Sequence, residues 1–234
     1  MMSGREPQKI LAVIPANNEA RHISGVVSRA GQHLPVLVVD DGSTDQTAAL
    51  AAEAGAEVFS QFPNQGKGKA LKTGFQHALD HNFDAVLTLD ADGQHDPAEI
   101  PAFLEAYAER DGDLIIGSRD FSKMPFSRRF ANTSGKVLFS RALGRTIHDN
   151  QSGYRLVSRR LVQAALASPQ SGFEFEVDMV VICVRNGWRL DWVPIRTIYG
   201  NQSSHISPLK HTGRFLHLVW KTYRQVRSSP HKKD

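Results

Sequence analysis

The chain has 234 residues, 41% hydrophobic and 22% charged, enough for one sizeable core without cross-links. Its single cysteine, Cys183, excludes an internal disulfide and a cysteine-based zinc cluster, and a reducing, cytoplasmic setting is expected. The net charge is +4, no apolar run reaches the roughly 18 residues of a membrane span, and residues 1–9 do not read as a signal peptide.

In chain order, residues 10–14 read as a strand and 19–30 as a helix with Asn18 as its cap. Residues 36–39 read as a strand, and 44–54 as a helix ending at Gly55, with Thr44 or Asp45 placed to cap it. A strand at 56–60, a helix at 70–81 and a strand at 85–89 follow; Pro97 then opens a helix over 97–109, and 114–117 is a strand. The second half is less regular. Residues 130–143 form an amphipathic helix pattern, 149–155 a polar turn, and 159–167 and 176–186 helices. Residues 190–199 read as one or two strands, with Pro194 favouring a sheet edge. A polar loop at 200–208, a basic amphipathic helix at 210–226 and an irregular tail close the chain.

Strand–helix alternation with short connections predicts an α/β fold, a mostly parallel sheet flanked by helices in a single domain over residues 1–209, followed by the basic helix and tail at 210–234. In such sheets ligands bind beyond the carboxyl ends of the strands. The polar residues fall at those ends: 17–19, 40–41, 90–92 and 118–119.

The strongest chemical signal is Asp90-Ala91-Asp92-Gly93-Gln94, directly after the apolar run 85–89. Two carboxylates at the mouth of a buried strand are costly without a positive partner. A hard divalent cation, Mg²⁺ or Mn²⁺, suits Asp90 and Asp92 with Gln94 as a third oxygen, and diphosphate oxygens would complete its shell. Gln65-Gly66-Lys67-Gly68-Lys69-Ala70 lacks the spacing and the Ser/Thr of a phosphate loop. It reads instead as a glycine turn that starts a helix and brings Lys67 toward a nucleotide. The positive charge is concentrated late: residues 119–160 hold ten Lys/Arg and two Asp, and 210–234 hold seven and one. A phosphorylated substrate or an anionic membrane surface fits that excess. Nucleic acid is not expected, since no recognisable module is present.

Five segments in order, 15–19, 40–45, 66–74, 90–96 and 149–155, resemble family 2 glycosyltransferases of the Rossmann-like GT-A fold, over residues 10–215. Within that family the chain is similar to polyprenyl-phosphate sugar synthases such as the dolichyl-phosphate mannose and glucose synthases. Their Asp-Ala-Asp, Gly-Ser-Arg and Ser-Gly-Phe/Tyr-Arg elements appear as 90–92, 117–119 and 152–155. The resemblance implies that Pro15, Asn17, Glu19, Val39 and Asp41 surround the base and ribose. Lys67, Asp90, Ala91, Asp92 and Gln94 would complete the nucleotide-sugar site, with Asp90, Asp92 and Gln94 on Mg²⁺ or Mn²⁺. Arg119, Arg128, Arg129 and His205 would face the acceptor phosphate, and Asp92, Arg119, Arg129 and Asp149 would carry catalysis. Two departures stand out: Asn17 replaces a frequent aromatic, and 201–205 reads Asn-Gln-Ser-Ser-His where the synthases carry an arginine and a Ser-Lys pair.

The implied activity is an inverting, metal-dependent transfer of a hexose from a GDP- or UDP-sugar to a polyprenyl phosphate or similar lipid. A phosphate monoester, with a second pKa of about 6, needs positive charge for positioning and no general base. Arg119, Lys123, Arg128 and Arg129 supply that charge. A hydroxyl acceptor would need a base, for which Asp149 reads either as that base or as a brace for the 152–155 turn. Transfer to a hydroxyl, or an inactive sugar-nucleotide-binding relative, are the alternatives. The helix at 210–226, with Lys210, Arg214, Lys221 and Arg224 on one side, reads either as a peripheral attachment to the cytoplasmic face of a membrane or as a helix packed on the core.

Overall fold

The computed structural model describes residues 8–119, 137, 139–149, 152–172 and 174–196. Its elements are β1 (Ile10–Ala16), α1 (Ile23–Ala30), β2 (Val36–Asp41), α2 (Thr47–Glu53), β3 (Glu57–Gln61), α3 (Lys67–Asp80) and β4 (Ala85–Thr88). A 3-10 turn (Pro97–Glu99) leads into α4 (Ile100–Arg110) and β5 (Leu114–Arg119). Then come β6 (Arg155–Ser158), α5 (Arg159–Leu166), α6 (Glu174–Arg185) and β7 (Leu190–Ile195). The strands form one sheet in the order β3-β2-β1-β4-β6-β5-β7. All neighbours pair in parallel except β6, which runs antiparallel to both β4 and β5.

Both faces of the sheet are covered, which is why its strands read as unbroken apolar runs. Strand periodicity sends Leu11 and Val13 of β1 to one face, with Leu37, Val39, Val86 and Ile116. There they meet Leu71 and Phe75 of α3, Leu161 of α5 and Phe175 of α6. Ile10, Ala12 and Ile14 point the other way, onto Ile23 and Val27 of α1 and Ile100 and Phe103 of α4. Each fully buried Val, Leu, Ile or Phe contributes about 1.5–3 kcal/mol.

The expected parallel α/β sheet is present, with three local differences. Asn18 does not cap a helix: α1 begins at Ile23, four residues later than expected, and Asn18 sits in the left-handed region at φ 57°. Helix α3 begins at Lys67 rather than residue 70. Arg155, read as the end of a turn, and residues 156–158, assigned to no element, form the antiparallel strand β6. That strand is four residues long and opens on an arginine, so it carries almost no apolar signal. Pro194, by contrast, lies as expected on the edge strand β7. The helix expected over 130–143 is described at 137 and 139–143, where the backbone is helical. The helix at 210–226 and the boundary at residue 209 lie outside the described residues.

Helix α3 packs so closely on β1 that a Cβ at Gly74 would overlap Cγ1 of the buried Val13. Gly74→Ala gains helix propensity, about 1 kcal/mol, but valine is stiff at this position. Overpacking costs about 1–3 kcal/mol, so the variant is expected to lower the urea midpoint. Adding Val13→Ala should recover part of the loss, so the double variant is less destabilised than the two single changes combined.

Candidate active site

The carboxyl ends of β1, β2, β4 and β5 and the start of β6 converge at one end of the sheet, and the loops there are tied to each other before any ligand is considered. The loop after β1 is clasped to the loop after β2 by hydrogen bonds. Asn17 Nδ2 donates to the Asp41 carbonyl (2.8 Å), and the Asn18 N–H to Ser43 Oγ (2.9 Å). Thr44 N–H donates to Asn18 Oδ1 (2.8 Å), Glu19 N–H to Thr47 Oγ1 (2.8 Å) and Ala20 N–H to Asp45 Oδ2 (3.2 Å). The cap position of α2 falls on Gln46 and not on Thr44 or Asp45, but Asp45 accepts from Thr47 N–H (3.0 Å) and so braces the start of that helix. Asp40 Oδ1 accepts from Ser43 N–H (3.2 Å).

Asp41 is buried and fully engaged. Its carboxylate accepts from Gln61 Nε2 (2.6 Å), Gln65 N–H (2.8 Å) and Gly66 N–H (2.7 Å), which pins the turn leading into α3. Val39 lies wholly in the core beneath α3, and Ala91 packs into the opposite core cluster, so neither side chain presents an open face. Pro15 and Glu19 are half-buried at the β1 mouth. Burial raises the Glu19 carboxyl above its usual range, opposed by His22, whose Nδ1 lies 3.4 Å from Glu19 Oε2.

At the end of β4 the acids carry partners. Lys67 Nζ, at the first residue of α3, lies 2.6 Å from Asp90 Oδ1 and 3.2 Å from Glu176 Oε1 in the first turn of α6. Burial alone would raise the Asp90 carboxyl, but Lys67, with His95 and Arg119 farther off, holds it down at about 2. Burial likewise opposes the charge on Lys67, and Asp90 and Glu176 override it and raise the ammonium above its ordinary value. The pair rests against Gly153: a Cβ there would lie 2.8 Å from Asp90 Oδ2 and 2.9 Å from Lys67 Nζ. Gly153 is held in turn by Thr88 Oγ1, which donates to its carbonyl (2.8 Å). Arg155 is completely buried and donates through Nε to the Ser152 carbonyl (2.7 Å) and through Nη1 to the Glu176 carbonyl. His95, also buried, accepts the Asp90 N–H on Nδ1 (3.0 Å). Burial lowers its pKa, so it stays neutral with its proton on Nε2.

Asp92 anchors the turn after Asp90. Its two oxygens accept from the Gln94 N–H (2.9 Å) and Gln94 Nε2 (2.8 Å), which leaves Gln94 Oε1 as the amide's acceptor end. At the end of β5, Arg119 makes a two-pronged bond to Asp149, Nε–Oδ2 2.6 Å and Nη2–Oδ1 3.0 Å, and Asp149 is 1% exposed. Among the described residues no group of three or more His, Cys, Asp or Glu side chains converges to hold a metal alone. Asp90, Asp92 and the Gln94 amide nonetheless form a hard oxygen set of the kind Mg²⁺ or Mn²⁺ shares with diphosphate oxygens, so the residues fit such an ion. Arg128, Arg129, Lys123 and His205 lie outside the described residues.

Sequence reasoning brought together Lys67, Asp90, Asp92 and Gln94, and Arg119 with Asp149. It missed Glu176 and gave Gly153 and Arg155 no part beyond their place in the 152–155 motif. The available signal for Glu176 was an acid set directly between the apolar Phe175 and Val177, though Glu174 and Asp178 lie close by in the same helix. An open cavity of about 700 Å³ lies at the opposite end of the sheet. Its Arg160 is bound bidentately by Asp113, and Arg159 Nη1 is spent on the Phe83 carbonyl (2.7 Å), so that cavity has no comparable set of groups.

The model of glycosyl transferase family 2 matches residues 12–166. The chain is 33% identical over 211 residues to the polyprenol monophosphomannose synthase of Mycolicibacterium smegmatis, covering 82% of this chain and 78% of that one. It is 34% identical over 202 residues to the undecaprenyl-phosphate mannosyltransferase of Micrococcus luteus, covering 80% and 82%. Among solved structures, glucosyl-3-phosphoglycerate synthase from Mycobacterium tuberculosis, in complex with Mn²⁺, uridine diphosphate and glucosyl-3-phosphoglycerate, superposes with a TM-score of 0.71 at 20% identity. That match covers 96% of this chain and 82% of the other, and it shows a shared fold.

Gly153→Ala is expected to displace the Asp90–Lys67 pair and lower kcat/KM by about 10²-fold, the scale of a small misplacement at a reacting centre, with circular dichroism unchanged. The lowered pKa of His95 means that the unfolded chain binds its proton more readily than the folded one. Stability therefore falls as pH drops below the ordinary value of 6.5. Thermal melts of His95→Asn between pH 7 and 5 should show a shallower loss of Tm than the wild type.

Proposed function

The chain belongs to glycosyl transferase family 2, and we propose that it transfers a hexose, with inversion, from a GDP- or UDP-sugar to a polyprenyl phosphate or similar lipid phosphate. The names of two relatives, a polyprenol monophosphomannose synthase and an undecaprenyl-phosphate mannosyltransferase, support that acceptor class. The observation that carries the reading is the Arg119–Asp149 bond. The acid the sequence offers as a base is buried with both oxygens on a guanidinium. Such an acid is poorly placed to take a proton from a hydroxyl, whereas an ionised phosphate needs no proton removed. Arg119, oriented by Asp149, contributes positive charge for the acceptor phosphate; Arg128, Arg129 and His205 join it in this proposal on sequence grounds alone.

On the donor side, Asp90, Asp92 and the Gln94 amide would hold Mg²⁺ or Mn²⁺, which supplies Lewis-acid neutralisation of the charge that develops on the departing diphosphate. Lys67 keeps Asp90 ionised and adds positive charge to the same end of the sheet. Glu19 and Asn17 flank the base and ribose. Asp41 acts there by pinning the 61–66 turn, and Val39 and Ala91 by packing beneath the site. None of the described helices is long and apolar enough to cross a membrane. Attachment at the bilayer surface through the basic 210–226 segment belongs to the same proposal.

The test is to supply the protein with Mn²⁺ or Mg²⁺, a panel of nucleotide sugars and a polyprenyl phosphate, and to follow nucleotide release. Release that depends on the lipid phosphate is the expected outcome; product from a hydroxyl acceptor alone would overturn the choice of nucleophile. Asp92→Asn removes an effect worth several kcal/mol, so turnover should fall by about 10²–10³-fold with the fold intact.

A further inference from the structure

One ammonium serves two carboxylates in this site, and it serves them unequally. Lys67 Nζ is 2.6 Å from Asp90 Oδ1, a close ion pair, and 3.2 Å from Glu176 Oε1. Glu176 Oε1 is buried, and the Lys67 contact falls outside hydrogen-bond geometry, leaving that oxygen with no hydrogen bond. A buried carboxylate oxygen in that condition is costly. Its surroundings are fixed. Arg155 grips the Glu176 carbonyl and is itself completely buried. On the other side the Gly153 backbone closes against Asp90 and Nζ. The mobile part of the trio is the four-carbon stem of Lys67, rooted in the first residue of α3.

We propose that Lys67 is an exchangeable counter-cation for Asp90, and that Glu176 is the berth that receives its ammonium when a divalent ion occupies Asp90. This rests on the reading of Asp90 as a metal ligand. An ammonium and a dication on the same carboxylate repel at short range. The trio offers the ammonium a second acid that lacks a hydrogen bond on the oxygen facing it, so Lys67 changes partners without leaving the protein. Glu176 is accordingly a positioning residue, acting on the metal site through Lys67. The arrangement makes a cation alone a weak ligand of the donor-free protein.

Mn²⁺ binding, read by electron paramagnetic resonance without nucleotide, tests the exchange in the full chain. Lys67→Gln should tighten Mn²⁺ binding by about tenfold, and Glu176→Gln should weaken it by about tenfold. The double variant separates exchange from general electrostatics. Without the ammonium the berth has no occupant, so Lys67→Gln/Glu176→Gln should bind Mn²⁺ as tightly as Lys67→Gln alone. Additive effects in the double variant, or a Lys67→Gln protein that binds no tighter, would overturn the exchange. If Lys67→Gln does not fold by circular dichroism, Glu176→Gln decides, and unchanged Mn²⁺ affinity there overturns it. A wild-type protein that takes up no Mn²⁺ even with uridine or guanosine diphosphate present would instead remove the metal reading on which the exchange depends.

Discussion

The ion pair between Lys67 and Asp90 is the joint on which the site depends. It draws together the start of α3, the end of β4, the 152–154 turn and, through Glu176, the first turn of α6. Both side chains are partly exposed, so the pair stands between a surface bridge, which contributes about 0–1 kcal/mol, and a fully buried one. Such a pair is also weak evidence of net stabilisation, since two desolvated charges offset much of their own attraction. Its contribution is better read as one of position: it sets where Asp90 stands relative to Asp92 and to the turn that carries Gly153. A carboxylate held this way is ionised and oriented before any ligand arrives, which suits chemistry that depends on electrostatic preorganisation.

The same economy runs through the rest of the site. Asn17, Asn18, Asp40, Asp41 and Asp45 all sit at strand ends, where polar residues commonly meet ligands. Here much of their hydrogen-bonding capacity is spent on other loops, which converts two mobile connections into one rigid wall. Arg119 and Asp149 do the equivalent at the end of β5. The groups left to act on substrate are few, and each stands on a braced support.

The architecture was legible because a doubly covered sheet leaves a plain mark in the chain. Ile10–Ala16 and Val36–Asp41 bury both faces, so their apolar runs are uninterrupted until the polar residues of the site begin. β6 left no such mark: Arg155 is buried with the Ser152 and Glu176 carbonyls accepting its protons, and Glu176 comes from a helix that follows later in the chain. Asp90 and Asp92 could be found because acids directly after a buried strand demand a counter-charge. Glu176 could not, because an acid in a helix ordinarily faces water, Glu174 and Asp178 beside it look alike in sequence, and its partner Lys67 belongs to a distant part of the chain. For Asp41 the residue type and place were evident, but its partners were not. A carboxylate at a strand end looks the same in sequence whether it grips a ribose or three groups of its own protein.

The reversed direction of β6 has an evolutionary consequence. The chain leaves the sheet at Arg119 and re-enters it at Arg155, and both points lie at the same end. The stretch that joins them therefore begins and finishes at the end of the sheet where Asp90 and Asp92 stand. Insertions or rewriting in that stretch can change what meets this end of the sheet, while the parallel strands β3, β2, β1 and β4 keep their register. A lineage built on this plan is free to diversify its products by editing one detour.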